Sequence, residues 1–327
     1  MGAPGLLDDI VRNSTRWLTR QLQKTARRGN NNPFLAGAFA PVAHESDITD
    51  LQVQGQIPET LNGMLLRIGP NPLAIDNPAI YNWFIGDGMV HGLRLESGRA
   101  LWYRSRYIGV NNVNQALGRA IAPGPRRGAS DVVNTNIISH AGRLWALVEA
   151  GAYPVELDYE LNTLRHGLFN SQANLPFSAH AHADPDTGEL HAICYDALAR
   201  KQVHYINIGN DGQLKRSVAI PVKHGPMIHD CAITASQIII LDFPVTFSLT
   251  SALKGNSLPY AWNPRHAARV GALPRGGTAD DICWFSVDPC FVFHACNAYD
   301  LDTGNIVLDV VVHHRVLETT TQGPMEN

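Results

Sequence analysis

Three short stretches decide how this chain folds: Leu95-Glu96-Ser97-Gly98-Arg99-Ala100-Leu101, Ser139-His140-Ala141-Gly142-Arg143-Leu144 and Asp184-Pro185-Asp186-Thr187-Gly188-Glu189-Leu190. In each, a glycine divides two apolar runs. Glycine takes positive φ without a Cβ penalty, which a hairpin turn between antiparallel strands requires. Gly212 and Gly304 repeat the arrangement. The first three glycines are 44 and 46 residues apart, the length of a four-stranded sheet with its turns rather than of a strand-helix-strand unit. The spacing favours a β-propeller over a generic sandwich with regular hairpins. At roughly 45 residues per blade, the roughly 270 residues after the N-terminal arm would make about six blades and leave nothing for insertions. A polar tail follows the strand-like run from Ile306 to Val312, so the expectation is an unclosed propeller in a C-terminally truncated chain.

Outward from these hairpins, composition sets the class. Charged residues are 17% of the 327 and apolar ones 45%, a balance that implies much buried surface. A formal net charge of -3 without basic clusters argues against a nucleic-acid partner, because phosphate binding needs concentrated Lys and Arg. The five cysteines are odd in number and form no C-x-x-C pair, which points to a reducing, cytoplasmic setting rather than a disulfide framework. Cys231 and Cys296 are expected to be small core residues. Residues 6–28 place Leu6, Leu7, Ile10, Val11, Trp17, Leu18 and Leu22 at helical spacing with Arg12, Arg16, Arg20 and Lys24 between them. This reads as a short basic amphipathic helix suited to peripheral contact with an anionic membrane, against the plainer reading of a helix packed on the domain. Asp8 and Asp9 do not suit a mitochondrial targeting peptide. The expected division is an arm over 1–30, a β domain over 31–317 and a divergent tail over 318–327.

Of the fourteen histidines, three end apolar runs beside residues able to fix their direction. His180 lies in Phe177-Ser178-Ala179-His180-Ala181-His182, His229 in Pro226-Met227-Ile228-His229-Asp230, and His294 in Phe291-Val292-Phe293-His294. Separations of 49 and 65 residues assign them to different blades, and a propeller brings strand ends from all blades to one axis. Imidazoles alone do not name the ion: iron, zinc, copper and nickel all accept them, and a three-histidine zinc hydrolase is the inorganic alternative. Glu149, after the apolar run Leu144 to Val148, is a carboxylate that could take the outer N–H of a ligand ring. It would otherwise be a solvent-facing turn residue.

In order along the chain, Asn32-Pro33-Phe34-Leu35-Ala36-Gly37, Leu61-Asn62-Gly63, Arg67-Ile68-Gly69-Pro70-Asn71-Pro72, Trp83-Phe84-Ile85-Gly86-Asp87-Gly88-Met89-Val90-His91-Gly92, Asn134-Thr135-Asn136, Ala146-Leu147-Val148-Glu149 and the three histidine segments resemble the carotenoid cleavage oxygenases. The bacterial apocarotenoid-cleaving branch resembles the chain most. The resemblance implies an all-β, seven-bladed β-propeller, incomplete here, with axial Fe(2+) held by four histidines. His180, His229 and His294 match the first three, and Glu149 matches a glutamate that orients a ligand ring. No residue matches the fourth, which the family carries near its C-terminus. His313 and His314 fall where the family has an ordinary strand. Trp83, Phe84, Asp87 and His91 are expected to build the first blade rather than act in chemistry.

The implied reaction is dioxygen-dependent cleavage of a conjugated double bond of a carotenoid or apocarotenoid into two carbonyl products, with no organic cofactor. Stilbene cleavers of the family place a lysine immediately before the orienting glutamate; here that residue is Val148, which cannot pair with a phenolate. Two alternatives from other classes stand beside the enzyme. One is a catalytically impaired relative that binds an apocarotenoid, and the other is an isomerase or hydrolase on the same scaffold.

Overall fold

The computed structural model describes residues 32–317 apart from 76, 129, 255 and 257, together with positions 14, 17, 18, 21, 22 and 29. Ser14, Trp17, Leu18, Gln21 and Leu22 are helical, with Trp17 and Leu18 exposed. The rest of the expected amphipathic helix and the tail over 318–327 lie outside the described residues.

Four antiparallel four-stranded sheets follow one another along the chain. The first comprises β1 (Ser46–Ile48), β2 (Gly63–Pro70), β3 (Gly88–Glu96) and β4 (Arg99–Tyr107), in the order β1-β4-β3-β2. The second is the meander β5 (Asn136–His140), β6 (Arg143–Leu147), β7 (Val155–Leu157) and β8 (Thr163–His166). The third is the meander β9 (His182–Ala183), β10 (Leu190–Cys194), β11 (Gln202–Ile208) and β12 (Leu214–Pro221). The fourth is β13 (Cys231–Ile233), β14 (Gln237–Asp242), β17 (Arg269–Pro274) and β18 (Cys283–Ser286), interrupted by the ribbon β15 (Val245–Phe247) with β16 (Tyr260–Trp262). A two-stranded sheet, β19 (Ala295–Asp300) with β20 (Ile306–Val310), comes last.

The turn glycines behave as their chemistry requires. Ser97-Gly98 and Ala141-Gly142 are two-residue loops with both central residues at positive φ (45° and 74°, 52° and 70°), the twist that matches right-handed strands. Side-chain alternation then stacks the sheets. On β6, Leu144 and Ala146 pack with Met89 and Val90 of the first sheet, while Trp145 and Leu147 pack with Leu190, Ala192 and Ile206 of the third. On β10, Ile193 turns the other way, into a cluster with Ile238, Ile240 and Leu273 of the fourth. A strand of period two that is covered on both faces is a blade between blades.

At Gly88 the first sheet also meets the segment leading into β5 main chain on main chain. A Cβ at Gly88 would collide with the carbonyl of Val133, so only glycine fits. Asn134 fastens the same seam by donating from Nδ2 to the carbonyls of Phe84 (3.0 Å) and Gly86 (2.8 Å).

The blade count departs from the expectation of about six. Four four-stranded sheets, the β15–β16 ribbon and the two-stranded β19–β20 sheet occupy the described residues, because long connections take up chain. One, between β4 and β5, carries the helix Asn111–Ala116, and another carries the β15–β16 ribbon with the helix Leu249–Leu253. Cys231 is buried as expected, whereas Cys296 is exposed. It sits on β19, which among the described residues pairs only with β20 and exposes Cys296, Asn297 and Tyr299. Asp87 accepts from the backbone N–H of Leu73 (3.0 Å), Trp83 stacks on Phe34 (5.6 Å between centroids), and His91 Nδ1 meets the Tyr103 hydroxyl (2.7 Å). All are first-blade contacts. No helix among the described residues is long and apolar enough to cross a membrane.

Candidate metal centre

Three consecutive sheets each deliver one histidine from the same place, the residues leading into the first strand. His180 stands two residues before β9, His229 two before β13 and His294 one before β19. These first strands are neighbours, β13 lying against both β9 and β19, so histidines far apart in sequence meet. The ring centroids are 4.3 Å (His180–His229), 4.6 Å (His180–His294) and 4.9 Å (His229–His294) apart. One nitrogen from each lies within 4.8 Å of the others. Donors about 2.1 Å from one ion stand roughly 3–4 Å apart, so a small closure brings all three onto a common centre.

The remaining contacts hold the rings in place. Asn136 Nδ2 donates to the carbonyl of Ala179 (2.8 Å) and the Ser178 hydroxyl accepts from the His180 N–H (3.1 Å). His180 Nε2 is buried with no hydrogen-bond partner, an arrangement that costs free energy unless something else engages the nitrogen. Burial, reinforced by the neighbouring charge of His229, lowers its pKa to about 4, so the ring is neutral and has a free lone pair near pH 7.

His229 differs in having a partner. Its Nδ1 lies 3.0 and 3.1 Å from the two carboxylate oxygens of Glu149. Burial pulls its pKa down, but the charge and hydrogen bond of Glu149 and the charge of Asp230 outweigh it and raise the value. An Nδ1–H donated to Glu149 leaves Nε2 as the free nitrogen, the tautomer a ligand needs. The buried Tyr195 lies next to Glu149, and burial together with that carboxylate's charge pushes the phenol's pKa up. Phe293 packs edge-on against the His229 ring at 5.4 Å.

These residues fit a divalent transition metal: three imidazoles converge, one buried nitrogen is unpartnered, and a carboxylate fixes a tautomer. His313 is not in this cluster: its backbone bridges Phe291 and its ring stands edge-on to Phe293 at 5.5 Å. Two surface hollows, of about 410 and 660 Å³, are lined by other residues, including Arg106 and Arg119 in one and Arg200, Lys201, Lys223 and His224 in the other. Neither includes the trio.

With the geometry in place, comparison with known proteins decides the lineage. The model of the retinal pigment epithelial membrane protein family matches residues 39–326. The chain belongs to this family. Carotenoid cleavage oxygenase of Mycobacterium tuberculosis is 40% identical over 339 residues, covering 90% of this chain and 68% of the relative. Carotenoid 9,10(9',10')-cleavage dioxygenase of Crocus sativus is 34% identical, covering 82% and 54%. Among solved structures, the lignostilbene dioxygenase of Pseudomonas brassicacearum superposes with a TM-score of 0.72 at 27% identity, covering 87% of this chain and 62% of that one. The cobalt-substituted apocarotenoid oxygenase of Synechocystis gives 0.72 at 26%, covering 86% and 64%. The chain thus spans less than two thirds of these solved family members, and its stacked meanders are part of their propeller.

Within the family frame, three participants escaped the sequence reading. Tyr195 lies beside Glu149, and Asp230 and His182 join the hydrogen-bonding around the trio. Asp230 did carry a signal: a carboxylate set directly after a proposed ligand and flanked by Ile228 and Cys231, where an unpaired charge would be costly. His182 carried none, since its partner is 48 residues away.

Proposed function

We propose that His180, His229 and His294 hold iron(II), and that the chain acts in dioxygen-dependent cleavage of a conjugated double bond of a carotenoid or apocarotenoid. The buried, unpartnered His180 Nε2 beside two more imidazoles carries this reading. Neutral ligands suit iron(II), and the cobalt-substituted relative supports a site for a divalent transition metal. Iron(II), when bound, would supply activation of dioxygen next to the alkene. The chain's own part is to keep His180 neutral by burial, to fix the tautomer of His229 through Glu149, and to present the apolar face of Phe293 beside that ring. No protein carboxylate is needed among the ligands.

Stilbene cleavage is the second reading, because a lignostilbene dioxygenase and the resveratrol cleavage oxygenase of Aspergillus fumigatus (31% identical) are among the relatives. Val148 before Glu149 disfavours it, since a branched apolar side chain offers a phenolate no charge or donor.

Metal analysis together with oxygen uptake in the presence of an apocarotenal tests the proposal. Iron near one per chain with oxygen consumption is expected. Zinc with no uptake would favour a hydrolase, and neither iron nor uptake would favour an apocarotenoid-binding relative without catalysis.

A further inference from the structure

Asp230 is 4% exposed, yet all four of its hydrogen bonds come from donors. Oδ1 accepts from the backbone N–H of Cys231 (2.7 Å) and from His182 Nε2 (2.8 Å). Oδ2 accepts from His294 Nδ1 (3.2 Å) and from the backbone N–H of Ala295 (3.2 Å). These donors lie on β9, β13 and the start of β19, so one carboxylate ties together the three sheets that bring the histidine trio together. His294 is the most exposed ring of that trio. It has little packing to hold it, and its orientation depends on what grips Nδ1.

We propose that Asp230 is the positioning residue of His294, as Glu149 is of His229, and that His182 steadies Asp230 from the opposite side. The proposal rests on reading the trio as a metal centre. A full carboxylate is required because both oxygens accept two donors each; an amide would turn an NH2 group towards one of them. By taking the Nδ1–H of His294, Asp230 leaves Nε2 free and aimed inward. The atoms of His182, Asp230 and Cys231 also lie within 4.8 Å of one another, the spacing of a second ion site. That reading is weaker, because Oδ1 at its centre is already engaged by His182 and the Cys231 N–H.

Cobalt(II) titration of the full chain, followed by visible d–d absorption, gives a readout independent of turnover. Asp230→Asn should weaken binding about 10- to 100-fold and shift the absorption band as His294 loses its orientation. His182→Gln keeps a donor to Oδ1 and should bind within about threefold of the parent, whereas His182→Leu should lose about tenfold, the worth of one hydrogen bond to a charged group. This pair decides the matter if Asp230→Asn does not fold, because His182 is partly exposed and both replacements are tolerable there. Parental affinity and an unchanged band in Asp230→Asn, or equal behaviour of the two His182 variants, would overturn the clamp while leaving the metal centre intact. A parent chain that takes up neither cobalt(II) nor iron(II) would overturn both. Two equivalents of cobalt, the second lost in Cys231→Ser, would overturn the clamp in favour of a separate ion site.

Discussion

Histidines cluster in two places in this molecule, and the two clusters differ in what their nitrogens do. At the hub, His180, His229 and His294 lean together, two of them gripped from outside by carboxylates, while His180 Nε2 is buried without a partner. On the fourth sheet, His266 has both nitrogens engaged: Nε2 with Asp242 (2.8 Å) and Nδ1 with His224 Nδ1 (3.1 Å). Both ring nitrogens of His266 therefore have a partner within the protein. Asp242 is further matched by Arg269 at 2.8 Å, and that guanidinium lies over Trp284. The second cluster is complete as it stands. The proposed metal centre differs from it not in the closeness of its histidines but in a converging nitrogen left open.

The contrast breaks most readily at His180. Replacing it with alanine should cut metal affinity by more than about 100-fold, beyond the effect of losing an outer carboxylate. Equilibrium dialysis against iron(II) or cobalt(II) reads this directly, and near-parental affinity would show that the open nitrogen is not a ligand.

A third histidine environment sharpens the comparison. His166 is buried with neither a carboxylate clamp nor converging rings, and its Nε2 is 3.5 Å from the carbonyl of Gly109. Burial, then the charge of Arg126, lowers its pKa from 6.5 to about 4. The unfolded chain therefore takes up a proton that the folded chain refuses as pH falls from 6.5 towards 4, and stability declines across that window by at most roughly 3 kcal/mol. The contribution is intact above pH 6.5. His166→Gln should flatten this part of the melting-temperature curve; an equally steep decline in the variant would assign the acid sensitivity to other groups.

The smallest effect is expected at the completed cluster. His266→Ala removes one partner of a carboxylate that keeps Arg269, at a cost of about 1–3 kcal/mol in urea unfolding. Metal affinity should stay within about twofold, since an unrelated hydrogen bond adds nothing to the hub. A large loss of metal would mean that the two clusters are coupled.

Much of this arrangement could be read from residues close together in the chain. Gly98 and Gly142 announce hairpins because positive φ is a property of single positions, and the alternation on β6 and β10 follows from a period of two. His180, His229 and His294 were visible because each terminates an apolar run. The clamp was not, since Asp230 meets partners 48 and 64 residues away, and no local pattern encodes that pairing. Cys296 misled for a related reason. A small apolar side chain suggests a core, but β19 belongs to a two-stranded sheet that leaves it exposed. The blade count erred because a uniform repeat length ignores the helices and ribbon between strands.

The seam at Gly88 has a mechanical consequence. Because the obstacle there is a carbonyl of the main chain, no rotamer change can relieve pressure between the first two sheets. Gly88 of β3 lies directly against Val133, and three residues further on Asn136 holds the carbonyl beside His180. A side chain at position 88 would therefore press on the segment that anchors the first imidazole, some ninety residues later in the chain.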